Sequence, residues 1–147
     1  MDIRAFWSAV LSQDRKALPE YFCRGAVIRW HCSNERFTVE EYVRANCDYP
    51  GQWAGEIERI ERTDGTVITA VRVFPKDGSA SFHVTSFLRL RDGRIQELDE
   101  YWADDGRAPD WRRQMGIGTP VRGAAQEGCK QHEKSPGKPP GGLFAEN

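Results

Sequence analysis

The sequence lacks the long apolar segments that insert into membranes. No part of its 147 residues approaches the roughly 20 consecutive apolar residues of a spanning helix, and the N-terminal Met-Asp-Ile-Arg begins no apolar signal region. A glycine-rich phosphate-binding motif is also missing, which argues against a nucleotide ligand. The formal net charge of -1 gives no reason to expect nucleic acid or an anionic membrane as a partner. These absences predict a cytoplasmic protein that binds neither a membrane nor nucleic acid.

Cysteine and histidine are scarce and widely spaced. The four cysteines are Cys23, Cys32, Cys47 and Cys129, and no two of them have Cys-x-x-Cys spacing. The three histidines are dispersed and form no His-x-x-x-His pair, although zinc sites are usually built from closely spaced ligands. We therefore expect reduced thiols, no metal and no cofactor.

Apolar residues are nearly absent from the C-terminal part of the chain. From about Thr119 the sequence consists mainly of Gly, Pro, Lys and Gln, which cannot bury enough apolar surface to offset the entropy lost on ordering. Residues 119–147 are therefore predicted to form a disordered tail. Residues 1–118 suffice for one domain with one core, and a composition of 39% hydrophobic and 29% charged residues is typical of a globular protein.

The most informative pattern is a long hairpin from Ala80 to Trp102. Two alternating runs flank Asp92-Gly93, a dipeptide typical of hairpin turns. Neither run has a purely apolar face, and buried polar groups need partners, so the hairpin is predicted to line a cavity or an interface. Since side chains alternate along a strand, the second run divides into one face with Glu97, Asp99 and Tyr101 and another with Leu98, Glu100 and Trp102.

The remaining patterns predict three helices and three further strands. The clearest start signal is Thr38-Val-Glu-Glu41, a capping box in which hydroxyl and carboxylate exchange hydrogen bonds with backbone N–H groups. Ile57 and Ile60 are out of phase with strict alternation, which indicates a bulge. The predicted elements are, in order, helices beginning at Asp2 and Asp14, a strand at 26–31, a helix from Thr38 to about Cys47, and strands at 56–62 and 66–74.

This order of elements, followed by the hairpin, resembles that of the nuclear transport factor 2-like (SnoaL-like) superfamily over residues 2–117. Residues 30–35 (Trp-His-Cys-Ser-Asn-Glu), 46–53 (Asn-Cys-Asp-Tyr-Pro-Gly-Gln-Trp) and 100–106 (Glu-Tyr-Trp-Ala-Asp-Asp-Gly) also resemble a bacterial branch of small single-domain members. The resemblance implies an α+β cone, in which a curved antiparallel sheet wraps around N-terminal helices. It also implies an apolar small-molecule pocket with acid–base side chains, and a homodimer formed through the sheet.

The candidate catalytic residues are side chains that can exchange protons in such a pocket. If the Asp99 face of the last strand points inward, Asp99 is a general base and Tyr101 an oxyanion donor or an orienting group. A one-residue slip exchanges the faces and makes Glu100 the candidate, whereas a solvated or dimer-facing strand would give neither residue a catalytic role. His31 and Glu35 flank a loop where they could transfer a proton, unless Glu35 only braces that loop.

Aromatic residues supply the predicted wall of the pocket. At helical or strand spacing such residues also form ordinary cores, and in a cone fold the two roles overlap. A histidine shares a strand face with some of them, although a lone strand histidine is commonly structural. The predicted lining residues are Trp7, Trp30, Tyr42, Trp53, Phe82, His83, Phe87 and Trp102.

Together these features predict a cofactor-independent isomerase, cyclase or dehydratase. It would act by proton transfer on a small apolar or carbonyl-bearing molecule, because a carboxylate in an apolar pocket has a raised pKa. The alternatives are a non-catalytic domain that binds a small ligand and a protein-interaction domain that uses the sheet. Arg29, Arg72 and Arg89 are predicted on the outer sheet face, where they could meet a second copy or solvent.

Overall fold

The computed structural model describes residues 1–122, which contain three helices and six strands. Residues 123–147, most of the predicted tail, lie outside the described residues. Each helix of residues 1–122 is far shorter than the roughly 20 residues that cross a bilayer. The elements are α1 (Ile3–Leu11), a 3-10 turn (Leu18–Tyr21), β1 (Phe22–Trp30), β2 (Glu35–Phe37), α2 (Val39–Cys47), β3 (Trp53–Thr63), β4 (Thr66–Pro75), β5 (Phe82–Arg91), β6 (Arg94–Asp104) and α3 (Asp110–Gln114).

The second predicted helix is only a 3-10 turn. The Asp14 carboxylate accepts hydrogen bonds from the backbone N–H groups of Lys16 and Ala17, at 3.2 and 3.0 Å, and the turn that follows includes Pro19. Proline has no N–H to continue a hydrogen-bonded ladder. The chain therefore enters β1 at Phe22, earlier than the predicted residue 26.

The six strands form one sheet in the order β2-β1-β6-β5-β4-β3. Strands β3 to β6 are successive antiparallel neighbours, as predicted. In contrast, β1 lies parallel to β6, so the sheet is mixed and the prediction of a wholly antiparallel sheet is wrong for this pair. A parallel pair needs a long crossover, and α2 with the three strands after it provides that connection.

The predicted hairpin of β5 and β6 is confirmed, with one irregularity. Asp92 and Gly93 have φ values of 51° and 77°, as a type I′ turn requires. Near the turn, Arg89 of β5 lies opposite Glu97 of β6, and Leu90 lies opposite Ile95. Gln96 has no partner in β5 and is therefore a bulge residue. The bulge lets both Ile95 and Leu98 enter the core, which strict alternation would not allow.

Helices α1 and α2 cover one face of the sheet, here called the inner face; the opposite face is called the outer face. Helix α1 begins at Asp2, whose carboxylate accepts the N–H of Ala5 at 3.0 Å, and it buries Phe6 and Trp7. The Trp7 indole donates to the Thr69 hydroxyl of β4 at 3.2 Å, which fixes the helix on the sheet. Strand β6 directs Leu98, Glu100 and Trp102 to this inner face, where all three are buried.

Helix α2 begins with the predicted capping box. The Thr38 hydroxyl accepts the N–H of Glu41 at 3.2 Å, and the Glu41 carboxylate accepts the N–H of Thr38 at 3.0 Å. These bonds satisfy two donors that a helix start otherwise leaves without partners. The helix then packs Tyr42 and Val43 into the core.

We expect Thr38→Ala to lower the free energy of unfolding by about 1 kcal/mol, because it removes the hydroxyl half of the capping box. Thr38→Ser keeps the hydroxyl and should restore most of the loss. Urea unfolding followed by circular dichroism measures both variants. Identical unfolding midpoints for Thr38→Ala and the unchanged protein would contradict this role.

Candidate functional site

Three of the four predicted catalytic residues lie together, but on the outer face. The His31 Nε2 atom is 2.7 Å from Asp99 Oδ1, and the His31 ring stacks on Tyr101 with centroids 4.6 Å apart. All three are at least partly exposed to solvent. Glu35 is exposed on β2. The Asp99 face of β6 thus points outward, so the condition under which Asp99 is predicted to be a general base in the pocket is not met.

Charged side chains of the outer face neutralise one another around Asp99. The Arg29 guanidinium lies 3.3 Å from Asp99 and 3.3 Å from Glu97, and Arg89 lies 2.8 Å from Glu97. Hydrogen bonds to Glu97, and then to Asp99, raise the pKa of Arg29 further above its ordinary value. Two cations and two anions thus form a network of ion pairs. This arrangement favours a role for these residues in balancing charge on the outer face.

The inner face instead places Glu100 in the core, as the alternative register predicts. Its side chain is 1% exposed. The Trp30 indole of β1 donates to one carboxylate oxygen at 3.1 Å, and the Ser86 hydroxyl of β5 donates to the other at 2.5 Å. Glu100 is therefore fixed by hydrogen bonds from both neighbouring strands.

Burial makes the Glu100 carboxyl an unusually weak acid. It raises the pKa of Glu100 from 4.5 to about 7, while hydrogen bonds from Ser86, Trp30 and Trp102 act in the opposite direction. Both the acid and the carboxylate are consequently populated near neutral pH. A group with this acidity can accept or donate a proton without a large energetic cost.

Aromatic rings enclose Glu100. The ring of Trp30 lies 6.3 Å from that of Tyr42 and 6.4 Å from that of Trp102, both with edge-to-face geometry. Burial, and secondarily the charge of Glu100, raises the pKa of Tyr42 well above its ordinary value, so its phenol stays neutral. The result is a largely apolar surrounding with one titratable carboxyl, here called the Glu100 centre.

Sequence reasoning named Glu100 only as the alternative because it could not place the bulge at Gln96. One further signal was present. The inner face of β5 is otherwise apolar but contains Ser86, which lies directly opposite Glu100 in the ladder. A buried serine opposite a glutamate indicates a paired polar site, because each satisfies the other.

Comparison with known proteins relates this architecture to solved structures. No protein family model and no curated protein matches the sequence. A protein named as a ketosteroid isomerase from Kribbella flavida superposes with a TM-score of 0.67 at 18% identity, over 80% of this chain and 87% of its own. An NTF2-like protein of unknown function from Burkholderia xenovorans gives 0.65 at 22% identity, over 80% and 92%. An epoxide hydrolase from M. tuberculosis gives 0.57 at 18% identity, over 69% and 79%.

This chain has the nuclear transport factor 2-like fold. The prediction of an α+β cone of this type is confirmed, with the mixed sheet described above. Because such a fold carries unrelated activities, its presence does not define a function. The function has to be argued from the side chains that this chain places on the fold.

The predicted lining residues lie in four different places in the nuclear transport factor 2-like fold. Trp30, Tyr42 and Trp102 surround Glu100. Trp53 and Phe82 lie with ring centroids 6.1 Å apart, at the end of the inner face where β3 and β5 begin. Trp7 of α1 is buried between this helix and the sheet. It also borders an open groove of about 380 Å³ between α1 and β3. The other two residues, His83 and Phe87, lie on the outer face.

On the outer face, His83 lies between two carboxylates. Its Nε2 atom is 2.7 Å from Glu58, and its Nδ1 atom contacts Asp105. Glu58 is the bulge residue of β3, which confirms the predicted bulge and explains why Ile57 and Ile60 both face inward. Arg122 also binds Glu58, at 2.9 Å. Within residues 1–122 no group of three such side chains has the arrangement of a metal site.

The raised pKa of Glu100 predicts how stability depends on pH. An acid with a higher pKa in the folded than in the unfolded protein stabilises the fold below the unfolded value and loses that contribution as pH rises through the folded value. For a change from 4.5 to about 7, the loss amounts to at most about 3 kcal/mol. The unchanged protein should therefore lose stability between about pH 4.5 and pH 7 relative to Glu100→Gln.

Urea unfolding of both proteins at pH 5 and pH 8 tests this difference. Other titrating groups affect both proteins equally, so only the difference between their profiles reports on Glu100. Parallel profiles would mean that the carboxyl has an ordinary pKa in the folded protein.

Proposed function

We propose that this protein is a cofactor-independent enzyme that moves a proton on a small apolar molecule with a carbonyl group, and that Glu100 is its general base or acid. The observation that supports this proposal is the Glu100 centre. A single buried carboxyl with a pKa of about 7 stands among aromatic rings. The name of one structural neighbour, a ketosteroid isomerase, fits a substrate of this kind.

The surroundings of Glu100 suit the removal of a proton from carbon. Trp30 and Ser86 hold the two carboxylate oxygens in a fixed orientation, so little reorganisation is needed before the proton moves. Aromatic rings bind an apolar substrate and exclude water, which keeps the carboxylate basic. Since Glu100 is 1% exposed, the substrate reaches it when the surrounding aromatic side chains move apart.

Exchange of carbon-bound hydrogen for deuterium tests the proposal without knowledge of the natural substrate. Cyclic aryl ketones such as 1-tetralone and 1-indanone are incubated with the protein in D2O, and the proton signal beside the carbonyl is followed by NMR. We expect faster exchange with the unchanged protein, and a loss of at least about 100-fold in the protein-dependent rate for Glu100→Gln.

Asp99→Asn is the matched control, because it removes a carboxylate one residue away on the outer face. It should retain the exchange rate of the unchanged protein. Equal activity of Glu100→Gln and the unchanged protein would exclude Glu100 from the reaction. Ketone binding without any exchange would favour the non-catalytic binding domain.

A second proposal concerns a homodimer through the outer face. Phe87 and Tyr101 are 38% and 45% exposed there, and their rings contact edge to face at 6.1 Å. The neighbouring charges of Arg29, Glu97 and Asp99 already pair within the chain. A second copy could cover this surface without leaving an unpaired buried charge, which is the usual cost of burying ions.

We expect Phe87→Glu combined with Tyr101→Glu to convert a dimer into a monomer, because four new carboxylates would repel one another across a two-fold interface. Thr63→Glu, at the exposed end of β3, is the control and should remain dimeric. Sedimentation velocity over a range of concentrations measures the mass. A monomeric unchanged protein at high concentration would refute the dimer.

A further inference from the structure

Tyr49 has a buried phenol oxygen that makes no hydrogen bond within residues 1–122. The residue lies between α2 and β3 and is 7% exposed. Its hydroxyl is buried and has no hydrogen-bond partner among residues 1–122. Buried hydroxyls without a partner are destabilising and uncommon. Such a group therefore indicates a contact with something other than this part of the chain.

The backbone around Tyr49 is fixed by hydrogen bonds to the turn that follows α1. The Gln13 amide donates to the carbonyl oxygens of Asn46 and Tyr49, at 2.8 Å each, and Gln13 itself adopts a left-handed backbone with φ of 54°. The Asn46 amide donates to the Val10 carbonyl at 3.0 Å. These hydrogen bonds connect α1 and the turn that follows it to the end of α2, next to Tyr49.

Tyr49 belongs to a group of aromatic rings with Trp53 and Phe82. Its ring lies 5.2 Å from that of Trp53. Burial, and then the negative charge of Asp104, raises the pKa of its phenol, so the hydroxyl keeps its proton. Asp104 and Glu100 are four residues apart on β6, about 13 Å along the strand. Tyr49 thus lies at one end of the inner face, and Glu100 lies deeper.

We propose that the Tyr49 hydroxyl binds an oxygen atom of the small molecule that enters this end of the inner face. The ligand class is an apolar, ring-containing molecule with a hydrogen-bond acceptor such as a carbonyl. The hydroxyl donates to that oxygen, while Trp53 and the neighbouring aromatic rings contact the apolar part. The inference rests on the proposed function only in the location of the ligand, since it assigns Tyr49 no part in proton transfer.

The first test is the stability of Tyr49→Phe without any ligand. Loss of a hydroxyl that has no partner in the folded chain should leave the melting temperature unchanged or raise it. Tyr21→Phe, in the 3-10 turn, is the control for a general effect of removing a phenol oxygen. A fall of several degrees for Tyr49→Phe would show a structural partner and overturn the proposal.

The second test compares two probes of the same shape, 2-acetylnaphthalene and 2-isopropenylnaphthalene, in which a CH2 group replaces the carbonyl oxygen. Isothermal titration should show about tenfold tighter binding of the ketone to the unchanged protein, and no preference for it in Tyr49→Phe. An unaltered preference in Tyr49→Phe, or failure of both probes to bind the unchanged protein, would overturn the proposal.

Glu100→Gln separates this inference from the proposed function. If Glu100→Gln keeps the ketone preference but loses deuterium exchange, both proposals stand. If Glu100→Gln keeps exchange while Tyr49→Phe loses the preference, the proposed function fails and the role of Tyr49 stands. If Tyr49→Phe keeps the preference while Glu100→Gln loses exchange, only the role of Tyr49 fails.

Discussion

The hydrogen bonds that hold the Glu100 carboxyl connect the three strands at the centre of the sheet. Trp30 donates from β1 and Ser86 donates from β5, with Glu100 between them on β6. A carboxyl group in an apolar core is tolerated only when its oxygens have partners or it carries a proton. Here both conditions contribute, because Trp30 and Ser86 each donate to one of the oxygens and burial raises the pKa to about 7. Glu100 therefore links β6 to both of its neighbours through side-chain hydrogen bonds, in addition to the backbone pairing of the strands.

The two faces of the sheet differ in whether their charged groups form ion pairs. On the outer face, Arg29, Glu97 and Asp99 form ion pairs with one another where water can still reach them, and such exposed pairs contribute little to stability. On the inner face, Glu100 forms no ion pair with any cation of residues 1–122. Proteins commonly accept such destabilised groups where they have a use. This contrast, more than the general shape of the fold, indicates the inner face as the place where chemistry occurs.

The nuclear transport factor 2-like fold of this chain does not by itself specify an activity. The architecture combines an apolar inner face, helices α1 and α2 that cover it, and the long hairpin of β5 and β6. It leaves open which polar residue stands on the inner face of β6. In this chain that position holds Glu100, and Tyr49 adds a phenol between α2 and β3. The fold thus sets where a site can be, and individual residues set what it can do.

Local patterns in the sequence determined those elements whose causes are local. The Asp92-Gly93 turn and the Thr38 capping box depend on neighbouring residues alone, and both stand where the sequence predicts them. Tertiary structure decided the parallel pairing of β1 with β6 and the bulge at Gln96, since both result from contacts between residues distant in the chain. A shift of one residue exchanges the faces of a strand. For this reason the sequence could name both Asp99 and Glu100, and only packing placed Glu100 inside.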